Sequence, residues 1–299
     1  MYSKKEQSLI DHILKASFEL ARMKDRNTYE NFQKMNDKCR PHRLMNNLFK
    51  ISSKDMDGRK IWTLAPKEDR TEQHVFFLHG GAYVVNMTPV HWFFIGAMIQ
   101  ALHCTVVVPD YPLLPGHGVK DVFDFVPKAY LDLTERVGAS RITVMGDSAG
   151  GGLALALCQY LHKKLIDQPS YAVLLSPWLD INMDNPAIGE VDERDPVLNL
   201  QGLIDCGKAY AGNVDKRSYF VSPLYGSLDG LPDMSLFVGT YELMLPDARK
   251  FRQKASEAEL SLDYHEIPGL MHDGMLYPTP EGTICRKTVF KTLKNRWTV

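Results

Sequence analysis

Residues 141–160, RITVMGDSAGGGLALALCQY, hold a lone hydroxyl, Ser148, between Gly146 and Gly150, where an apolar run gives way to a helical one. A serine is a weak nucleophile unless a base takes its proton and donors receive the charge its attack creates. G-x-S-x-G at a strand-to-helix junction suits the first part of that chemistry. The sharp turn projects Oγ above the sheet edge, and the residues two before and two after must be small because the two backbones nearly touch. The helix N-terminus beneath adds free amides and a field favouring negative charge. A capping serine would fit the same letters, so the partners decide.

Donors are available in HGGAY (79–83), which follows a second apolar run. Glycines after a buried strand let the backbone bend until N–H groups face a ligand. Gly80 and Gly81 are the expected donors, joined by the N–H of Ala149, while His79 fixes the loop. A plain turn is the bland alternative. The base is sought among the histidines that follow the serine, since the chain order of such sites is Ser, acid, His. His162 lies on the serine's own helix, roughly 21 Å away at 1.5 Å per residue, and is excluded. His265 falls inside the strand LDYHEIP as a sheet-face residue. His272, in PGLMHDGM, follows that strand at the end where open parallel sheets place their sites, and is the expected base. The acid belongs in VGTYELMLPDARKF, where Glu242 and Asp247 both qualify. Asp184 and Asp195, further upstream, are expected to be solvated.

These residues need a scaffold. Apolar runs at HVFFL, TVVVP, RITVMG, YAVLL and MSLFVGT have no polar face, and helical stretches separate them at 120–136, 152–165 and 246–260. Strands apolar on both faces, alternating with helices, predict an α/β fold with a mainly parallel sheet covered on both sides. LFKISS and RKIWTLAP read as two further strands joined by a turn at DMDG. Ile10, Leu14, Phe18 and Ala21 predict an amphipathic N-terminal helix. Nearly sixty residues separate YAVLLSP from MSLFVGT, far more than an α/β connection needs. The interval has its own helix but too few apolar residues for a core, so it is read as a lid.

Bulk properties exclude several function classes. The formal net charge is −1 and the basic residues are scattered, which gives no reason to expect nucleic acid. No apolar run is long enough to span a membrane, and MYSKKEQSLIDHILK lacks the apolar core of a secretion signal. The five cysteines are dispersed with no CxxC pair, so no metal or redox site is expected, and a reducing, cytoplasmic setting is the default.

Taken together, HGGAY, PDYPLLP, GDSAGG, SPWLD, SPLYG…GLP and GLMH occur in one order from about residue 45 onward. In that order they resemble the hormone-sensitive-lipase-like family of α/β-hydrolases, the bacterial esterases with an HGGG-type motif. The resemblance implies an α/β-hydrolase fold: a single domain over 1–299, an eight-stranded sheet with helices on both faces, and a small helical cap from 1–45 and 178–232. It puts Ser148 and His272 on the nucleophile and base, and Gly80, Gly81 and Ala149 on the oxyanion hole. Two positions depart from the pattern: Ala82 replaces the third glycine, and the usual D-P-L reads Glu242-Leu243-Met244. Asp147 matches the GDSAG branch as a framework residue. Family register favours Glu242 as the acid, as does its place just past a strand end. Asp247, after Leu245-Pro246, suits the first turn of a helix.

The expected activity is hydrolysis of short- to medium-chain carboxylic esters through an acyl-enzyme, with no metal or organic cofactor. Amide hydrolysis, as in deacetylases of similar design, is the alternative. A ligand-binding member without turnover is a third reading, disfavoured by the presence of serine, histidine and carboxylate together. Tyr83, Trp178 and Tyr225 are candidates for the substrate pocket. The expected partner is a small ester, with neither nucleic acid nor membrane, and a homodimer is left open.

Overall fold

The computed structural model of the protein describes residues 24–35 and 39–297. The amphipathic helix expected from Ile10, Leu14, Phe18 and Ala21 lies outside them. The apolar runs become β1 (Phe49–Met56), β2 (Arg59–Pro66), β3 (His74–Leu78), β4 (Thr105–Pro109), β5 (Ile142–Asp147), β6 (Tyr171–Leu175), β7 (Met234–Tyr241) and β8 (Leu262–Met271). They form one eight-stranded sheet in the order β1-β2-β4-β3-β5-β6-β7-β8. Only β2 runs against its neighbours; the pairings from β4 to β8 are all parallel. β1 and β2 are joined tightly, because Asp57 and Gly58 both take the left-handed conformation that a two-residue hairpin requires.

The central strands lack a polar face because they feed two cores. Phe76, Leu78, Val144, Leu174 and Leu236 point into one; Val75, Phe77, Met145, Val173 and Phe237 point into the other. The first core is closed by α3 (Val119–Val137), α4 (Ser148–Lys163) and α7 (Leu245–Glu257), the second by α2 (Pro89–Leu102) and α8 (Pro280–Trp297). The sequence reading did not isolate α2 or α8. In α2, Val90, Trp92, Phe94, Ile95, Met98 and Ile99 are all buried, so the polar stripe that betrays a surface helix is missing.

Two short helices, α5 (Ile188–Asp192) and α6 (Leu200–Ala211), lie in the long interval between β6 and β7. Its apolar residues, among them Ile181, Leu203, Tyr210 and Leu224, join the first core and form none of their own. The described N-terminal residues meet this insertion. Ahead of α1 (Tyr29–Lys34), the Asn27 side-chain amide donates to the Val197 carbonyl at 2.6 Å and Lys24 pairs with Asp192 at 2.8 Å. Gly202 of α6 lies so close to the Asn27 carbonyl that a Cβ would collide with it.

The tightest backbone approach is where β5 turns into α4. A Cβ on Gly146 would strike the Gly150 carbonyl, and one on Gly150 would strike the carbonyls of Leu78 and His79. The Gly150 carbonyl belongs to the helix and the Leu78 carbonyl to the sheet, so neither can move without breaking one of them. Gly150→Ala is therefore expected to lower the melting temperature by about 8 °C or more. Gly116→Ala, where a methyl meets open space, is expected to leave it unchanged. Thermal denaturation of the two variants checks this.

Candidate active site

Three of the parallel strands end at the same edge of the sheet, β5 separated from β7 and β8 by β6, and each delivers one polar side chain. Ser148 follows β5, Glu242 follows β7 and His272 follows β8. Ser148 is held at φ 50, the left-handed conformation a non-glycine residue adopts only under constraint. Its Oγ lies 2.9 Å from His272 Nε2, and His272 Nδ1 lies 2.6 Å from Glu242 Oε2. The carboxylate accepts the Nδ1 proton, which leaves Nε2 to face the serine. Glu242 is itself held: its Oε1 accepts from the Gly239 N–H and, at 2.8 Å, from the Ser176 hydroxyl. All three side chains are buried.

The loop after β3 is bent by three consecutive left-handed residues, Gly81, Ala82 and Tyr83. The sequence expectation that Gly80 is an oxyanion donor does not hold here. Its N–H donates to Asp147 Oδ2 at 3.0 Å, and a Cβ at this position would collide with that same carboxylate. Gly80 is glycine so that Asp147 can come close. The N–H groups of Gly81, Ala82 and Ala149 have no acceptor among the described residues, so the free set is shifted by one position, with Ala82 in place of Gly80. Asp147 also accepts from His91 Nε2 at 3.1 Å, while His91 Nδ1 accepts from the Thr88 N–H. His79 bonds the Gly80 carbonyl through Nδ1, and burial pushes its imidazole down to about 4.

The family described as the alpha/beta hydrolase fold matches residues 75–276. An esterase of Acinetobacter venetianus is 29% identical over 69% of this chain and 68% of its own length. An acetyl-hydrolase of Streptomyces hygroscopicus is 30% identical over 71% of this chain and 70% of its own. A crystal structure of an esterase from the bacterial hormone-sensitive lipase family overlays with a TM-score of 0.82, covering 99% of both chains at 24% identity, a likeness of fold. The chain belongs to the α/β-hydrolase fold family.

The remaining expectations divide within this α/β hydrolase. Tyr83 and Trp178 are almost wholly buried and flank the turn at Ser148. The Tyr83 hydroxyl donates to the Ala149 carbonyl at 3.0 Å, and the backbone N–H of Trp178 donates to the Ser148 carbonyl at 2.8 Å, while its indole N–H faces Met183. Tyr83 also stacks on Tyr210 of the insertion at 3.6 Å. Tyr225 sits elsewhere: its hydroxyl donates to Asp180, and its ring lies against Arg217 and Lys250, with no such contact to Ser148, Glu242 or His272. His265 stacks on Phe237 within the sheet, as a sheet-face residue should.

Asp195 overturns its expectation. Instead of being solvated it is buried, accepting from the Val197 and Leu198 N–H groups through Oδ1 and from the Leu243 N–H through Oδ2, each at 2.8 Å. It ties the insertion to the residue beside Glu242. That contact joins positions 48 residues apart, and no local pattern announces it. Asp184 is exposed, as expected. Among the described residues no cluster of His, Cys, Asp and Glu is arranged to hold a metal ion, and no helix is long and apolar enough to cross a membrane.

Asp247 lies in the first turn of α7, but it is buried and accepts from the Asn185 side chain at 2.8 Å. Burial pushes its carboxyl up to about 6, partly offset by the Asn185 bond. The folded protein thus holds a proton that the unfolded chain, at its ordinary 3.8, gives up first. Between those two values stability falls as pH rises. Asp247→Asn is expected to keep kcat and to be at least as stable as the parent above pH 6, whereas a helix-end charge would have made it less so. Glu242→Gln is expected to lower kcat by about three to four orders of magnitude with little change in KM. Kinetics and melting curves of both variants across pH test the assignment.

Proposed function

We propose that this α/β hydrolase is a serine carboxylesterase of the hormone-sensitive-lipase-like type, acting on short- to medium-chain esters. The observation that carries the reading is the unbroken line Ser148 Oγ–His272–Glu242, set beside free amides at the mouth of a helix. Ser148 attacks the ester carbonyl while His272 Nε2 takes its proton. Glu242 keeps the imidazole in the tautomer that makes this transfer possible. The N–H groups of Gly81, Ala82 and Ala149 receive the negative charge on the carbonyl oxygen. His272 then protonates the leaving alcohol, and water, deprotonated by the same nitrogen, cleaves the acyl-enzyme. The reaction as drawn needs one chain, a small ester and water. The printed names of its relatives, esterase and acetyl-hydrolase, agree with it.

A preference for short acyl chains fits the surface of the cap formed by the N-terminal segment and residues 178–232. The large exposed apolar side chains of the described residues are Leu44, Leu48, Leu165, Tyr241 and Ile284. Leu44 falls in the N-terminal segment and none in the insertion, so residues 178–232 offer no large exposed apolar side chain for meeting a lipid aggregate. The five cysteines are all free and buried, which supports a reducing, cytoplasmic setting.

An organophosphonate is expected to add once to the intact protein and not at all to Ser148→Ala, read by mass spectrometry. Labelling that persists in the variant removes Ser148 from the reaction. In a p-nitrophenyl ester series from acetate to palmitate, kcat/KM is expected to fall steeply beyond about eight carbons. A matched anilide in the same assay separates ester from amide hydrolysis.

A further inference from the structure

Two of the carboxyl groups around His272 have donors on both oxygens. Glu242 is held by Gly239, Ser176 and His272, and Asp195 by Val197, Leu198 and Leu243. Asp273 is placed differently. Its Oδ2 lies 3.2 Å from His272 Nε2, the nitrogen that also faces Ser148 Oγ at 2.9 Å. Its Oδ1 is buried with no hydrogen-bond partner. The Asp273 backbone N–H donates to Ser176 Oγ at 3.2 Å, and that hydroxyl donates to Glu242 Oε1. The imidazole is thus enclosed by a ring of contacts, with a carboxyl group at each nitrogen.

We propose that Asp273 is a second carboxyl partner of His272, which in the resting enzyme competes with Ser148 for Nε2 and thereby sets the pH at which the enzyme becomes active. This rests on the reading of Ser148 as nucleophile and His272 as base. When Asp273 is ionised and His272 protonated, the Nε2 proton is shared with the carboxylate and the nitrogen has no lone pair for the serine. It is freed when that proton leaves to water as pH rises, giving a neutral imidazole beside a carboxylate.

The surroundings favour retention of that proton. Glu242 faces the pair from the loop after β7, Asp195 from the insertion, and Asp147, itself bonded to His91, from the nucleophile turn; Tyr277 lies four residues downstream of Asp273. Burial pulls the His272 imidazole down. The Asp273 charge, and then the hydrogen bond and charge of Glu242, outweigh this and push it up to about 10. Burial likewise raises the Asp273 carboxyl well above the usual carboxylate range. The two groups act on each other and titrate as a pair.

Asp273 has φ 52, so the bland alternative is that an aspartate stands here because it tolerates the left-handed turn. Asparagine tolerates it equally, keeps the side-chain shape and removes the charge. In wild-type enzyme the rising limb of kcat/KM against pH is expected above the ordinary imidazole value of 6.5. Asp273→Asn is expected to move that limb down by about one unit or more, which raises kcat/KM at pH 6 about tenfold. A gain of activity at low pH is not what damage to a turn produces. If Asp273→Asn folds poorly, Asp273→Gly, which suits the same φ, takes its place.

The imidazole titration of His272, followed by NMR in the Ser148→Ala background with and without the Asp273 substitution, reads the same shift without turnover. A limb and a titration that stay where they were overturn the proposal. Organophosphonate labelling of the parent separates the two claims. Labelling with an unmoved limb sinks the role of Asp273 alone, and failure to label sinks the esterase reading first.

Discussion

The structure depends on a backbone approach that leaves no room for a methyl group. At the end of β5 the chain reverses into α4 so tightly that Gly146 meets the Gly150 carbonyl and Gly150 meets the carbonyls that leave β3. This forces Ser148 into a left-handed conformation and lifts its hydroxyl clear of the sheet. The neighbours then secure what the turn has set. Trp178 binds the Ser148 carbonyl, Tyr83 binds the Ala149 carbonyl, and Asp147 reaches across to the Gly80 N–H. Strain at Ser148 is held in place by contacts from two other segments, the loop after β3 and the chain after β6.

Electrostatics imposes the second constraint. Asp195, Glu242 and Asp273 gather around one imidazole in a largely buried region, and Asp147 acts on Asp273 from the turn at Ser148. Ionised carboxyl groups are costly there unless donors surround them. The fold supplies backbone N–H groups from Gly80, Val197, Leu198, Gly239 and Leu243, which can neither titrate nor swing away. Asp273 is the member for which the backbone supplies no such donor, and so its proton is bound up with that of His272.

The sheet was legible in the sequence because its strands combine β-branched runs with sharp ends. Ser148 and His272 were legible because spacing and chain order leave them few rivals. Gly80 was misread for an instructive reason. A glycine after a strand signals either a free amide or a close approach, and only the position of Asp147 in space tells which. Asp195 was expected to be solvated and Ser176 was passed over because their partners lie 48 and 66 residues away, beyond any local pattern. Helix α2 escaped because burial on nearly every side erases the periodicity by which helices are found.

The Asp195 strap bears on how such proteins diversify. The insertion is the part that varies most freely in principle, being a long excursion from the end of one strand to the start of another. Yet one of its carboxylates is wired to the amide next to Glu242. A chimaera that exchanges residues 178–232 for a foreign segment would leave the Leu243 N–H buried and unanswered unless the new segment carried an equivalent acceptor. Residues 178–232 and the loop after β7 are therefore linked in inheritance: a lineage can reshape the insertion along paths that keep an acceptor at this one amide.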